Sequence, residues 1–387
     1  YTLSLRTRNW IWLFRSCPQL ATPLRIQSLW HQLRWLEAHP EYCHGGNHWL
    51  ENLIALALGG LQFAGPDAQA MHSRAMRLLQ KELSRQVLAD GGHEERSASY
   101  HLLMLDRLVE LACAIASICG ERPPWLIRAI WAMETWSKAV RLEGGMAPRF
   151  NDSAEDASPH LDQVISFADG YLQQRLEASG LRRRLLQCAA AETSSSTMTL
   201  NATVACTATV TDLPATGWTF LRPGHGWELV FKCGVPCPKH LPPHVHSDQL
   251  SVELSYQGKW LFSEVGTSIY GDGPDRAFER SGAAHNVLQL GLALPSGEID
   301  WIEPVEVWGG FRAARKAQPR HRQSGVLSDD LCFASGSHDG FDRFGACHER
   351  RVELSNANPH GVGLTVEDTV STRRPLYFRQ WWHLAPG

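Results

Sequence analysis

With 387 residues, 43% of them hydrophobic and 20% charged, the chain carries enough apolar material for two substantial cores and is too long for one ordinary domain. A formal charge of −3 without any long Lys/Arg block excludes a nucleic acid as the main partner, because phosphate neutralisation needs clustered cations. No apolar run reaches the ~18–20 residues of a membrane span. The ten cysteines, of which only Cys233 and Cys237 stand close together, read as mostly free thiols or an incidental local pair.

The first half is helical by periodicity. Pro23 opens a segment in which Leu24, Leu29, Trp30, Leu33 and Leu36 fall near helical spacing, and it ends before Pro40. After the loop EYCHGG, Asn47 stands as an N-cap ahead of HWLENLIALALGG, whose Leu50, Leu53, Ile54 and Leu58 form an apolar face closed by Gly59-Gly60. Further amphipathic runs cover about 67–88, 97–118, 124–142 and 158–179. Helices joined by short connections, with no strand between them and no fixed-period repeat, predict helix-on-helix packing in a closed or semi-closed array of hairpins.

Composition changes near Ala189. The segment AAAETSSSTMTLNATVACTATV is rich in Ser and Thr and reads as a linker. From Trp218 onward come WTFLR, WELVFKC, SVELSY, KWLFSEV, NVLQL, VEVWGGF, LCFASGS, RRVELS, GLTVEDTV and LYFRQWWHL, a density of short strands that predicts a large antiparallel sandwich. The expected organisation is α+β and multidomain, with a helical domain over 1–188, a linker over 189–212 and a sandwich over 213–387. Tyr1 in place of a methionine, and a C-terminus directly after a strand-like run, read as a chain cut short at both ends.

Polar clusters interrupt both halves. His48 and Glu51, at i and i+3 beside Asn47, share a helix face that capping does not explain. In GGHEERSASYH, Tyr100 lies on the entry turn of a long helix; a phenol titrates near ~10, and nearby cations would lower it toward proton transfer from a weak carbon acid. In PRFNDS, the loop with Arg149, Asn151 and Asp152 reads as turn chemistry, or Arg149 faces an anionic ligand. In the strand half, His244 and His246 are two apart and share a face on an extended chain. Glu264 ends the return strand of a hairpin turning at Gln257-Gly258, and His285 follows a glycine-rich loop containing Tyr270. Two imidazoles and a carboxylate are ligands that suit zinc.

Taken in order, GNHWLENL, GGHEERSASYH, PRFNDS, HVHSDQLSVELSYQGKWLFSEVGTSIYG and RSGAAHNVL resemble the heparinase II/III-like polysaccharide lyases, over about Gly45 to Leu290. The resemblance implies an incomplete (α/α) toroid followed by an antiparallel β-sandwich, and β-elimination at a uronic acid of an acidic polysaccharide to leave 4,5-unsaturated ends. It implies catalytic roles for Asn47, His48, Tyr100 and His244, with Asn47 and His48 at the uronate carboxylate and Tyr100 as base and acid. Glu51, Arg149, Asp152 and Tyr270 would contact substrate. His246, Glu264 and His285 would hold a structural Zn2+ ion, although the family usually carries Asp where Glu264 stands in Ser263-Glu264-Val265-Gly266. A periplasmic or secreted location and a homodimer complete these expectations. The alternatives are a non-catalytic glycan-binding or polysaccharide-assembly protein of the same fold, and a zinc hydrolase built on His246, Glu264 and His285.

Overall fold

In the computed structural model, which describes residues 1–154, 156–173, 207–356 and 363–385, the helical periodicity of the first half becomes α1 (Thr2–Ser16), α2 (Pro23–Ala38), α3 (Gly46–Gly60), α4 (Pro66–Gln86), α5 (Ala98–Cys119), α6 (Pro124–Val140) and α7 (Leu161–Leu172). The predicted linker up to residue 206, and the end of the helix expected over 158–179, lie outside the described residues. Two compact units are present: one takes 1–87, 102–135 and 162–173, the other 88–101, 136–154, 156–161, 207–356 and 363–385. The loop ends of α5 and α6 are therefore counted with the strands.

In the helical unit α3 packs against α1, α2 and α4. The pair Gly59-Gly60 does not close α3 from outside; both residues lie within it, and the helix passes on to Leu61 in ordinary right-handed conformation. Their role is close approach. A Cβ on Gly59 would stand 2.6 Å from the Leu33 methyls, and one on Gly60 2.7 Å from the Ala68 carbonyl oxygen. Leu33 is fully buried at this seam, a contribution of about 2–3 kcal/mol in area removed from water. Helix α1 was not legible in the periodicity because the first half of its buried stripe is polar, with Ser4, Thr7 and Arg8 preceding Ile11 and Trp12. No described helix is long and apolar enough to cross a membrane, and the eight described cysteines are all free.

The second unit is an antiparallel sandwich. One sheet has the order β1-β2-β3-β4-β5, from β1 (Thr209–Leu213), β2 (Trp218–Gly224), β3 (Trp227–Lys232), β4 (Val252–Tyr256) and β5 (Lys259–Phe262). The other is β10-β11-β12-β13, from β10 (Pro319–Ser328), β11 (Leu331–His338), β12 (Ala346–Ser355) and β13 (Gly363–Thr372). Leu221, Leu229, Phe231, Val252 and Leu254 of the first sheet share a core with Cys332, Ala334, Val352 and Leu354 of the second. Smaller sheets are formed by β14 (Tyr377–Gln380), β6 (Leu288–Ala293) and β7 (Ile299–Ile302), and by β8 (Val305–Trp308) with β9 (Arg312–Lys316). The β4–β5 hairpin turns where expected: Gln257 and Gly258 have φ of 48° and 72°, the left-handed pair of a two-residue turn matching strand twist. Strands β1, β7, β9 and β10 escaped the sequence reading. In β10 the reason is plain, since PRHRQSGVLS carries Pro, Gly, two arginines and a histidine and is mostly exposed.

Strand β12 alternates strictly, but two of its inward positions are His348 and Arg350. The register places Arg350 opposite Asp368, whose carboxylate accepts from Arg350 Nε at 2.8 Å and Nη2 at 2.9 Å and from His348 Nε2 at 2.7 Å. The neighbouring His338 is buried, accepts the Gly340 N–H at Nδ1, 3.1 Å away, and is driven down to about 3 by burial, then by His348 and Arg320. A base whose folded pKa lies below its unfolded 6.5 binds its proton only in the unfolded chain between those values, so stability falls as pH drops through that window. His338→Gln is expected to reduce the slope of unfolding free energy against pH between 6.5 and 4 by up to one proton, about 1.4 kcal/mol per pH unit. Urea titrations across that range would show it; equal slopes for both proteins would refute it.

Candidate active site

The sandwich unit gathers its polar side chains around Asp152. The loop that carries it is clamped from beneath: Asn151 is held at φ 56°, a conformation asparagine tolerates better than most residues. Its N–H donates to Asp248 Oδ2 at 3.2 Å and its side-chain amide to the Arg96 carbonyl at 2.9 Å. Fully buried Lys232 donates to Asn151 Oδ1 at 2.8 Å and to Asp248 Oδ1 at 2.5 Å. An ammonium out of water needs such pairing, since an unpaired buried charge costs several kcal/mol.

On this base Asp152 presents both carboxylate oxygens to donors. Oδ1 accepts from His246 Nε2 at 2.7 Å, Thr267 Oγ1 at 2.9 Å and Arg276 Nη1 at 2.5 Å; Oδ2 accepts from His244 Nδ1 at 2.8 Å and Arg276 Nη2 at 2.7 Å. Burial alone would raise this carboxyl, but the hydrogen bonds from His244, His246 and Arg276 hold it well below the usual carboxylate range. His246 is pushed the other way, down to about 4, by burial that its bond to Asp152 only partly offsets. Asp152 is buried, and these donors engage both of its oxygens. The two histidines lie in a loop ahead of β4, not on a strand, and they converge because one carboxylate collects both.

His244 carries the arrangement outward. Its ring lies against that of Tyr100, centroids 4.1 Å apart and planes tilted by 39°, and its Nε2 stands 3.6 Å from the buried Glu95 carboxylate. With Nδ1 bonded to a carboxylate, Nδ1 is the protonated nitrogen and Nε2 keeps the lone pair of the neutral ring. Tyr100, at the start of α5, donates its hydroxyl to that of Tyr270 at 3.1 Å. The expectation of a lowered phenol is corrected here: burial first, then Tyr270, Asp152 and Glu95, raise Tyr100 well above the ordinary value. Its immediate surroundings are carboxylates and a second phenol rather than free cations. Tyr270 is itself pushed up to about 12, by burial and then by Asp152.

Glu264 and His285 form a second, deeper pair. The Glu264 carboxylate meets His285 Nδ1 and the Ser251 hydroxyl, and the His285 ring lies 5.2 Å from that of His246. Burial would lower His285, but the Glu264 carboxylate raises it. His246 Nδ1 and His285 Nε2 are buried atoms without a hydrogen-bond partner. Such nitrogens, beside a carboxylate, are the donor chemistry of a zinc site. Among the described residues, however, no group of three or more His, Cys, Asp or Glu side chains is arranged to hold a metal ion.

The remaining candidates sit apart from this cluster or in the other unit. Arg149 turns its guanidinium over the Trp260 ring, 5.9 Å from its centroid, with Nη1 3.4 Å from Ser263 Oγ. In the helical unit, Asn47 is buried in the first turn of α3, and the N-cap is Gly45, without a side-chain cap, so capping does not account for Asn47. His48 is half-exposed, stacked on Tyr1 at 4.4 Å with Nδ1 3.9 Å from Glu41. Glu51 is fully buried and accepts from Arg107 Nε at 3.0 Å, which makes it an ion-pair partner within the helical core. Arg276, Thr267 and Glu95 were missed in the sequence. The available signal was Arg276 and Arg280 at i and i+4 of PDRAFER, a shared helix face.

Family models described as heparinase II/III N-terminus and heparinase II/III-like, C-terminal, match residues 21–175 and 206–387. FtsZ-localized protein C of Caulobacter vibrioides (strain NA1000 / CB15N) is 24% identical over 352 residues, covering 87% of this chain and 53% of the relative. A crystal structure of heparinase III superposes with a TM-score of 0.70 at 16% identity, over 100% of this chain and 57% of that one. A mutant of the heparan sulfate lyase HepC from Pedobacter heparinus gives 0.64 at 17%, over 99% and 55%. The chain thus spans about half the length of the proteins it matches. Its fold is theirs: helices of an incomplete (α/α) toroid, then an antiparallel β-sandwich. With both family models matched in that order, over most of its length, the chain belongs to the heparinase II/III-like family.

Proposed function

We propose that the protein is a polysaccharide lyase that cleaves a uronic-acid-containing polysaccharide by β-elimination, with His244 as base and Tyr100 as acid. The observation that carries this reading is the Asp152–His244–Tyr100 arrangement: a carboxylate on Nδ1, an Nε2 that the carboxylate leaves as the proton-accepting nitrogen, and a protonated phenol whose ring centroid lies 4.1 Å from that of the same imidazole. His244 Nε2 takes the proton from C5 of the uronate as the C4–C5 double bond forms. The bond from C4 to the glycosidic oxygen breaks, and the Tyr100 hydroxyl protonates that oxygen. The imidazolium and phenolate left behind restore each other by one proton transfer, so no water is consumed. Asp152 stabilises the imidazolium, and the Tyr100 hydroxyl, which donates to that of Tyr270 in the free protein, turns its proton to the leaving oxygen.

Incubation with alginate, chondroitin, heparan and bacterial exopolysaccharides tests the proposal. At least one polymer should release products with the ultraviolet absorbance of a conjugated 4,5-unsaturated uronate. A flat trace across the whole panel overturns it. The name of the Caulobacter relative refers to localisation with FtsZ rather than to a reaction, which favours a second reading: a glycan-binding protein of the same fold. Binding without any absorbance change would select it.

In the same reading His246, Glu264 and His285 hold a zinc ion that, when bound, fixes the end of the β4–β5 hairpin and supplies no acid or base. Zinc added to chelator-treated protein is then expected to raise the unfolding temperature by several degrees through preferential binding to the folded state. His285→Ala should abolish the shift. An unfolding temperature indifferent to zinc in both proteins removes the metal from the scheme.

A further inference from the structure

The turn between β8 and β9, Gly309-Gly310-Phe311, is built to press on the loop that carries Tyr270. Gly309 has φ of 56° and a Cβ there would lie 2.7 Å from Asp272 Oδ1; a Cβ on Gly310 would lie 2.6 Å from the Gly271 carbonyl oxygen. The Gly310 N–H donates to the Asp272 carboxylate. Two buried arginines of α8 (Pro274–Arg280) hold the turn from behind. Arg276 Nε donates to the Gly310 carbonyl at 3.2 Å, and Arg280 donates to those of Gly309 at 2.7 Å and Arg312 at 3.2 Å. The outcome is that Phe311, 45% exposed, lies parallel to Tyr270, 44% exposed, with 4° between the ring planes and 6.5 Å between centroids. Neither the sandwich core nor the proton chemistry accounts for a phenylalanine pinned in water.

The separation decides how a ligand sits. A ring inserted between two aromatic planes needs about 7 Å, twice a ~3.5 Å contact, so a ligand lies across these rings rather than between them. The Arg276 guanidinium covers Tyr270 at 5.4 Å from its centroid, and the Tyr270 hydroxyl meets that of Tyr100. The aromatic pair therefore begins at the acid of the proposed reaction. We propose that Phe311 and Tyr270 form a stacking subsite for one pyranose ring of a uronate glycan, next to the sugar whose bond is broken. The identity of the glycan rests on the lyase reading; the platform itself rests on the ring geometry.

Calorimetric binding of alginate, chondroitin and heparan tetrasaccharides to Tyr100→Phe protein, with and without changes at Phe311, tests this. Phe311→Ala and Phe311→Leu should each weaken the best ligand about tenfold, because leucine keeps the apolar volume and loses the flat face. Phe311→Trp should stay within about threefold, and the unfolding temperature should hold in all three because the ring is exposed. Unchanged affinity in Phe311→Ala, leucine binding as well as phenylalanine, or absence of binding to any of the tetrasaccharides would each overturn the subsite. Phe311-dependent binding by the parent protein without ultraviolet-absorbing product overturns the cleavage reading and leaves the subsite standing.

Discussion

Replacing Tyr100 by phenylalanine is expected to lower turnover of a uronate polysaccharide by about 10²–10⁴-fold while leaving its affinity within a few-fold, the loss typical of a removed general acid. The phenylalanine ring keeps the ring contact with His244, so what disappears is the proton and the bond to Tyr270. Stability should move by no more than about 1.5 kcal/mol, the net worth of one hydrogen bond. The direction of the Tyr100 shift sharpens the role. Burial, then Tyr270 and the Asp152 and Glu95 carboxylates, keep the free protein in the phenol form, so Tyr100 enters the reaction carrying its proton. Leaving groups separate the acid and base halves of the elimination. A substrate whose 4-substituent departs without needing a proton should be cleaved by Tyr100→Phe at a rate much closer to that of the parent protein. An equal loss on both substrates would place Tyr100 at the C5 proton instead, and His244 would lose its assignment as base.

Much of this arrangement was legible because it is local. Helical periodicity located α2 to α6 within a residue or two, and the Gln257-Gly258 turn fixed the β4–β5 hairpin. Tyr100 stood out on the entry turn of a long helix, and His244 and His246 as two residues on one face of an extended stretch. What stayed hidden depends on pairs distant in sequence. Asp152 and Arg276 are 124 residues apart, and nothing in FNDS or PDRAFER says that one carboxylate collects two histidines, a threonine and an arginine. The same blindness covers Glu51, whose helical spacing with His48 suggested a ligand contact; its partner Arg107 lies on a different helix, and the pair is buried. The phenol was misjudged for a related reason. The charged loop GGHEER gave both signs of charge, and only the fold reveals that Glu95 faces Tyr100 while Arg96, at φ 52°, turns to the carbonyls of Glu94 and Ala215.

Asp152→Asn carries the largest expected cost in stability, about 3–5 kcal/mol, because it leaves the Arg276 guanidinium buried against a neutral amide. For a chain of this size the unfolding temperature should drop by several degrees at least. A second effect is chemical. The amide can present N–H where His244 Nδ1 now donates, which favours the tautomer with its lone pair at Nδ1 and a proton on Nε2, the nitrogen assigned to the C5 proton. Turnover should then fall by orders of magnitude even at temperatures where the variant is folded. Arg276→Met separates the two effects, since it removes the cation and leaves the carboxylate its bonds to His244, His246 and Thr267. That variant should be destabilised yet retain a measurable rate, and the double variant should be less unstable than the sum of the singles by about 2 kcal/mol or more. Additive losses would mean the pair is not coupled, and an Asp152→Asn protein with parental turnover would mean that the Asp152–His244 bond does not set the base.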